Sequence, residues 1–274
     1  MNIKTIKVGG QTIRVAVRPG TTGTPLVLCN GIGASLELWL PLIAVIDPTI
    51  EVIAFDVPGV GGSPGTILPY RFACLANTLN QLLDRMGYGQ VDVLGLSWGG
   101  FLAQQFAHDY PTRCRRLILA ATSTGWDSTL PNYKVLMMMS SPRRYTDVEY
   151  AAKIIPNIYG GRFRRDPELV LKHAQKMVAD RAAVKGGGTD LGYTYQMTAL
   201  YWHSTTSMLR NIKQPTLLLA GRDDPIIPLC NMEKMASKIP DSLLQVFDDG
   251  HLFLLTDLKN VIPYITVFLK EQRD

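Results

Sequence analysis

The chain has 274 residues, of which 46% are hydrophobic and 19% charged, and its formal net charge is +5. This composition supports a sizeable globular core and excludes collagenous, low-complexity or charge-dominated disordered chains. All of the positive excess lies in residues 124–210, with 12 basic and 7 acidic side chains against 16 and 16 elsewhere. With no basic run interleaved with aromatics, nucleic acid is excluded, and the excess reads as a solvated face or one turned to an anionic surface.

Residues 3–8 and 12–17 alternate about Gly9-Gly10, the pattern of a β-hairpin at a sheet edge. The apolar run 25–30 predicts a central strand ending in Asn30-Gly31-Ile32-Gly33, a turn that can aim backbone N–H groups into a cleft. Residues 51–56 predict the next buried strand, and the glycine-rich stretch 57–65 after it lacks the Gly-Lys-Ser/Thr of a phosphate loop. Phe72, Leu75, Leu79, Leu82, Leu83 and Met86 then mark one face of a helix stopped by Gly87.

Residues 91–100 read VDVLGLSWGG, an apolar strand running into Gly95-Leu96-Ser97-Trp98-Gly99 and a segment of helical period. This is the pattern of a nucleophile elbow: the turn is so tight that the flanking positions take glycine, and the serine hydroxyl is left exposed on a strained backbone. An elbow serine needs two backbone donors for the oxyanion it creates. The N–H groups of Ile32 and Trp98 are the candidates. Residues 116–121 supply another strand, so strands and helices alternate as in a parallel, doubly wound sheet.

Residues 124–210 break that rhythm with helical periods near 137–139, 148–155 and 169–178. We read them as a helical cap inserted into a core formed by 1–123 and 211–274, above the sheet edge where ligands bind in such folds. Met137, Met138, Met139 and Trp202 are candidate substrate contacts, although methionine and aromatic stripes equally suit a plain helical core. Gly186-Gly187-Gly188 reads as a mobile loop.

The sheet resumes at 215–221 and delivers Asp223-Asp224-Pro225, and the last strand, 243–247, delivers Asp248-Asp249-Gly250-His251. His108 and His203 fall in helical stretches and His173 in the insertion, which leaves His251 as the base. Asp224 is preferred to Asp223 as its partner because the following proline holds it extended at a strand end. The order Ser, Asp, His is that of an α/β-hydrolase and differs from the chymotrypsin and subtilisin orders. Cys29, Cys74, Cys114 and Cys230 lie far apart without histidine partners, so they read as buried thiols of a reducing compartment, and no metal or cofactor motif is present. The first 30 residues hold no signal-peptide pattern and no 18 apolar residues run together, so a cytoplasmic protein is expected.

With those residues in place, the chain resembles the α/β-hydrolases and, more closely, the bacterial intracellular medium-chain-length poly(3-hydroxyalkanoate) depolymerases. The likeness is carried by residues 30–34 (NGIGA), 51–63, 68–72 and 103–111, and within the cap by 141–145 (SPRRY), 158–161 (IYGG) and 163–169. It implies an eight-stranded, mostly parallel sheet with flanking helices and a cap, Ser97 as nucleophile, Asp224 as orienting acid and His251 as base. It also implies ester cleavage of a storage polyester at the granule surface inside the cell. Residues 125–133 and 179–190 depart from that pattern, which bears on side-chain-length preference. The competing readings are a small-molecule carboxylesterase or lipase with the same triad, and a non-catalytic protein holding an acyl ligand.

Overall fold

The structure, a computed structural model, describes residues 1–183 and 190–271, so Gly186-Gly187-Gly188 lies outside the described residues. Its strands are β1 (Asn2–Val8), β2 (Gln11–Arg18), β3 (Leu26–Cys29), β4 (Val52–Phe55), β5 (Val91–Leu96), β6 (Cys114–Ala120), β7 (Thr216–Gly221) and β8 (Ser242–Phe247). The helices are α1 (Leu40–Val45), α2 (Phe72–Met86), α3 (Trp98–Asp109), α4 (Tyr133–Ser140), α5 (Val148–Tyr159), α6 (Pro167–Ala183), α7 (Asp190–Leu200), α8 (Leu229–Ala236), α9 (Phe253–Thr256) and α10 (Leu258–Lys270). The eight strands form one sheet in the order β1-β2-β4-β3-β5-β6-β7-β8. Pairing is antiparallel from β1 to β2 and from β2 to β4, and parallel everywhere else.

The edge hairpin pairs Val8 with Gln11 across the two-residue Gly9-Gly10 turn, as its alternation demands. In contrast, β3, β4, β5 and β7 are buried along their whole length, which is why they read as continuous apolar runs. Helix α2 packs on α3, and α1 packs on α10. Between β6 and β7 the chain adds α4 to α7, and the ends of this insertion meet in an antiparallel bridge between Gly125 and Ser204. His203 lies beside that bridge in an irregular turn that follows Trp202 at φ 62°, and not in a helix as expected: the α7 helix has already ended at Leu200. The cysteines also divide, with Cys29 and Cys114 buried but Cys74 and Cys230 exposed, and all four are free thiols. The period of α2 explains Cys74, which falls off the face marked by Phe72, Leu75 and Leu79.

The turn between β5 and α3 is held by close backbone contact. A Cβ on Gly95 would stand 2.4 Å from the Gly99 carbonyl oxygen, and one on Gly99 would stand 2.2 Å from the Cys29 carbonyl oxygen. Both obstacles are backbone atoms that cannot rotate away. Gly99→Ala is therefore expected to destabilise the fold by about 3 kcal/mol or more, read as a lowered urea midpoint. An unchanged midpoint would contradict this packing.

Candidate active site

Ser97 sits at φ 54° and ψ −117°, between the last residue of β5 and the first of α3. Its N–H donates to the Ala120 carbonyl at 2.8 Å, and its own carbonyl accepts from Gly100 N–H and from the Thr122 hydroxyl, each at 2.8 Å. These bonds to the neighbouring strand end hold a backbone conformation that would otherwise relax. The serine is buried to 9% exposure yet lines a cleft.

His251 opens on the same cleft, at 3% exposure. Its Nδ1 lies 2.7 Å from Asp224 Oδ2, while Asp224 Oδ1 accepts from the N–H groups of Ile226 and Ile227, each at 2.9 Å. The carboxylate is thus fully committed to one ring nitrogen and one turn of backbone. Asp223 is occupied elsewhere: it accepts from Arg164 at 2.5 Å and from Gly161 N–H at 2.8 Å. Asp249 accepts from Arg162 N–H and from the Thr256 hydroxyl, and Asp248 faces solvent. Of the four acids near the two strand ends, Asp224 is the one bonded to the imidazole.

The Gly31-Ile32 turn lines the cleft beside Ser97. Behind it, the buried Asp56 accepts from Leu36 N–H at 2.7 Å, from Gly62 N–H at 2.8 Å and from Arg14 at 3.1 Å. Burial pushes the Asp56 carboxyl up to about 6, against the pull of these donors. The Trp98 N–H opens α3, where the first-turn N–H groups have no helical acceptor and the helix dipole favours negative charge.

The insertion is bonded directly to both loops. Tyr145 donates its hydroxyl proton to the Ile32 carbonyl at 2.6 Å, and Gly33 N–H donates to Gln196 Oε1 at 2.8 Å. Gln196 also accepts from the Trp98 indole N–H, through its carbonyl, at 2.9 Å. Gly33, at φ 70°, leaves no room for a Cβ, which would stand 2.6 Å from the Tyr145 ring. Tyr159 accepts from His251 N–H at 2.7 Å, and its ring lies parallel to the imidazole with centroids 6.2 Å apart.

The remaining lining is mostly apolar, with Leu38, Leu96, Met139, Met177, Ile226 and Leu252 as its larger aliphatic members. Of the expected cap contacts, Met139 lines the cleft and Met138 is partly buried against the core, whereas Met137 is 70% exposed and Trp202 85% exposed, both outside the lining. On a helix, successive residues point about 100° apart, so three consecutive methionines cannot share one wall. His173, set aside as the base because it falls in the insertion, nevertheless lines the cleft, and burial, aided by Lys176, pushes its imidazole down to about 4. Arg144, Tyr145, Tyr159 and Gln196 are further contributors that sequence reasoning did not single out.

A serine on a strained elbow that opens on the same cleft as a histidine held by a buried carboxylate can perform nucleophilic acyl transfer. The chain belongs to the alpha/beta hydrolase fold family, whose sequence profile matches residues 24–258. Along 271 residues it is 52% identical to a poly(3-hydroxyalkanoate) depolymerase of Ectopseudomonas oleovorans, a match covering 98% of this chain and 93% of that one. Among solved structures, a thermophilic esterase of Thermogutta terrifontis superposes with a TM-score of 0.79 at 26% identity, covering 98% of each chain. The alpha/beta hydrolase MGS-M2 from a deep-sea metagenome library of the Medee basin reaches a TM-score of 0.85 at 19% identity, covering 99% of this chain and 98% of that one, a likeness of fold alone.

Proposed function

We propose that this protein hydrolyses the ester bonds of an intracellular, medium-chain-length poly(3-hydroxyalkanoate), releasing 3-hydroxy acids through an acyl-enzyme. The observation that carries the proposal is the joining of Ser97 and the His251–Asp224 pair in one apolar cleft walled by the insertion. The 52% identity with a polyester depolymerase along nearly the whole chain supports the substrate class.

In this reading His251 takes the Ser97 proton as the hydroxyl attacks the ester carbonyl, while Asp224 fixes the tautomer and offsets the imidazolium charge. The N–H groups of Ile32 and Trp98 receive the developing oxyanion, each contributing about 3 to 4 kcal/mol to the transition state. His251 then protonates the leaving alcohol, and a water deprotonated by the same ring releases the acid. The cleft wall selects the pendant alkyl chain, since the oxyanion donors are blind to it.

Each buried methylene contributes about 0.8 kcal/mol, so Met139→Ala is expected to lower turnover of an octanoyl ester about tenfold more than that of an acetyl ester. Equal losses on both would remove Met139 from the selecting wall. The exposed apolar residues Ile67, Leu68, Trp126, Tyr133, Met137, Tyr201 and Trp202 support contact with a polyester surface, because all belong to the insertion or to the loop that Tyr195 bonds at Ile67. Among the described residues no helix is long and apolar enough to cross a membrane. A serine-directed fluorophosphonate separates this reading from a non-catalytic acyl-binding protein: it labels wild type at Ser97 if the proposal holds, and absence of labelling contradicts it.

A further inference from the structure

The insertion places one cation on the cleft wall. Arg144 is 2% exposed, lines the same cleft as Ser97 and His251, and is the one arginine or lysine among the lining residues. Among the described residues no carboxylate pairs with it. Its Nη2 donates to the hydroxyl oxygens of Tyr145 and Tyr193, both at 3.2 Å, while Nε is buried and unpartnered. Those two hydroxyls spend their own protons on the Ile32 and Met139 carbonyls, so they serve the guanidinium as acceptors. The rings of Tyr145 and Tyr193 lie 4.9 and 5.6 Å from its central carbon, and this cation–π contact holds the group in place without neutralising it. A buried charge without a counter-ion is costly, and an anionic ligand in the cleft relieves that cost.

The guanidinium is one tyrosine away from the oxyanion turn, through the chain Arg144, Tyr145 hydroxyl, Ile32 carbonyl. In a 3-hydroxyalkanoate the carboxylate is only two carbons from the carbon bearing the hydroxyl. An arginine near the reacting ester is therefore placed for the carboxylate of the unit whose oxygen is leaving.

We propose that Arg144 binds the free terminal carboxylate of the polyester, so that the chain is shortened from its carboxyl end by one 3-hydroxy acid per turnover. This rests on the function proposed above and adds the direction of attack. Ser97 Oγ bonds to the carbonyl carbon of the last ester, the bond from that carbon to the terminal unit's oxygen breaks, and the oxygen takes the proton held by His251. The terminal unit departs as a 3-hydroxyalkanoate anion from Arg144, and water completes hydrolysis of the shortened acyl-enzyme. The apolar lining accommodates its alkyl branch, and on the same wall burial pushes the His173 imidazole down to about 4.

The test uses two dimers with the same internal ester, 3-(3-hydroxyoctanoyloxy)octanoic acid and its terminal primary amide. The ratio of their kcat/KM values within one enzyme preparation is independent of the fraction folded. Wild type is expected to prefer the acid by at least about tenfold, as a charge-assisted, bidentate pair should. R144Q is expected to bring the ratio close to one, and R144K, which keeps the charge but not the planar fork, to lie between. If R144Q does not accumulate as folded protein, a reduced ratio in R144K carries the same conclusion. A wild-type ratio near one, or an undiminished preference in both variants, overturns the carboxylate subsite while leaving the ester hydrolase intact. Failure of wild type to cleave either dimer overturns both proposals together.

Discussion

Ser97→Ala is expected to abolish ester hydrolysis, with a loss on the order of 10⁴-fold or more, while the protein stays folded. Both residues carry a Cβ, so the strain at φ 54° is the same in each, and the bonds that hold the turn use the backbone of residue 97 and the Thr122 side chain. What disappears is the hydroxyl alone. The residual rate reflects the oxyanion donors and substrate binding, which the substitution leaves in place. Hydrolysis of a soluble p-nitrophenyl ester, measured alongside the thermal midpoint, checks both parts. A variant that keeps a tenth of wild-type activity would remove Ser97 from the role of nucleophile.

Asp224→Asn and Asp223→Asn are isosteric changes at adjacent positions with very different expected costs. At Asp224 the amide is expected to lower kcat by about 10⁴-fold, because an NH₂ or a neutral oxygen opposite Nδ1 no longer fixes the tautomer or balances the imidazolium. At Asp223 the change removes one partner of a half-exposed pair with Arg164, of a kind that contributes about 1 kcal/mol or less, so activity should change a few-fold at most. Comparable losses in the two variants would contradict the hydrogen-bonding pattern around His251.

The two positions also show what the sequence made legible. Gly95 and Gly99 announced the elbow because backbone atoms crowd them, a constraint that leaves a local mark. Pro225 likewise singled out Asp224 by restricting its neighbour. The buried strands were readable from continuous apolar runs. The rest of the cleft wall left no such mark. Tyr145 meets Ile32 across 113 residues and Gln196 meets Gly33 across 163, so their roles exist only in the folded chain, where the insertion is bonded to that loop.

Helix α7 shows the same limit from another side. Its sequence, DLGYTYQMTAL, mixes polar and apolar residues all round and includes Gly192, whose missing side chain lets the helix touch Gly59. It therefore carries no apolar stripe, yet it supplies the buried Gln196 that ties Gly33 and Trp98 together. Arg144 lies in a stretch, SPRRY, that resembles the depolymerases, but adjacent arginines in sequence do not show which one is buried. In the fold Arg143 pairs with Asp147 at the surface and Arg144 turns inward.

The most direct measurement is incubation of the purified protein with native medium-chain-length polyhydroxyalkanoate granules, with the released acids separated and identified. The proposed function predicts steady release of 3-hydroxy acids from these granules by wild type and none by Ser97→Ala. Hydrolysis of soluble esters without release from granules would contradict the polyester as substrate, and a preference for short-chain polyhydroxybutyrate would contradict the selection of long side chains by the cleft.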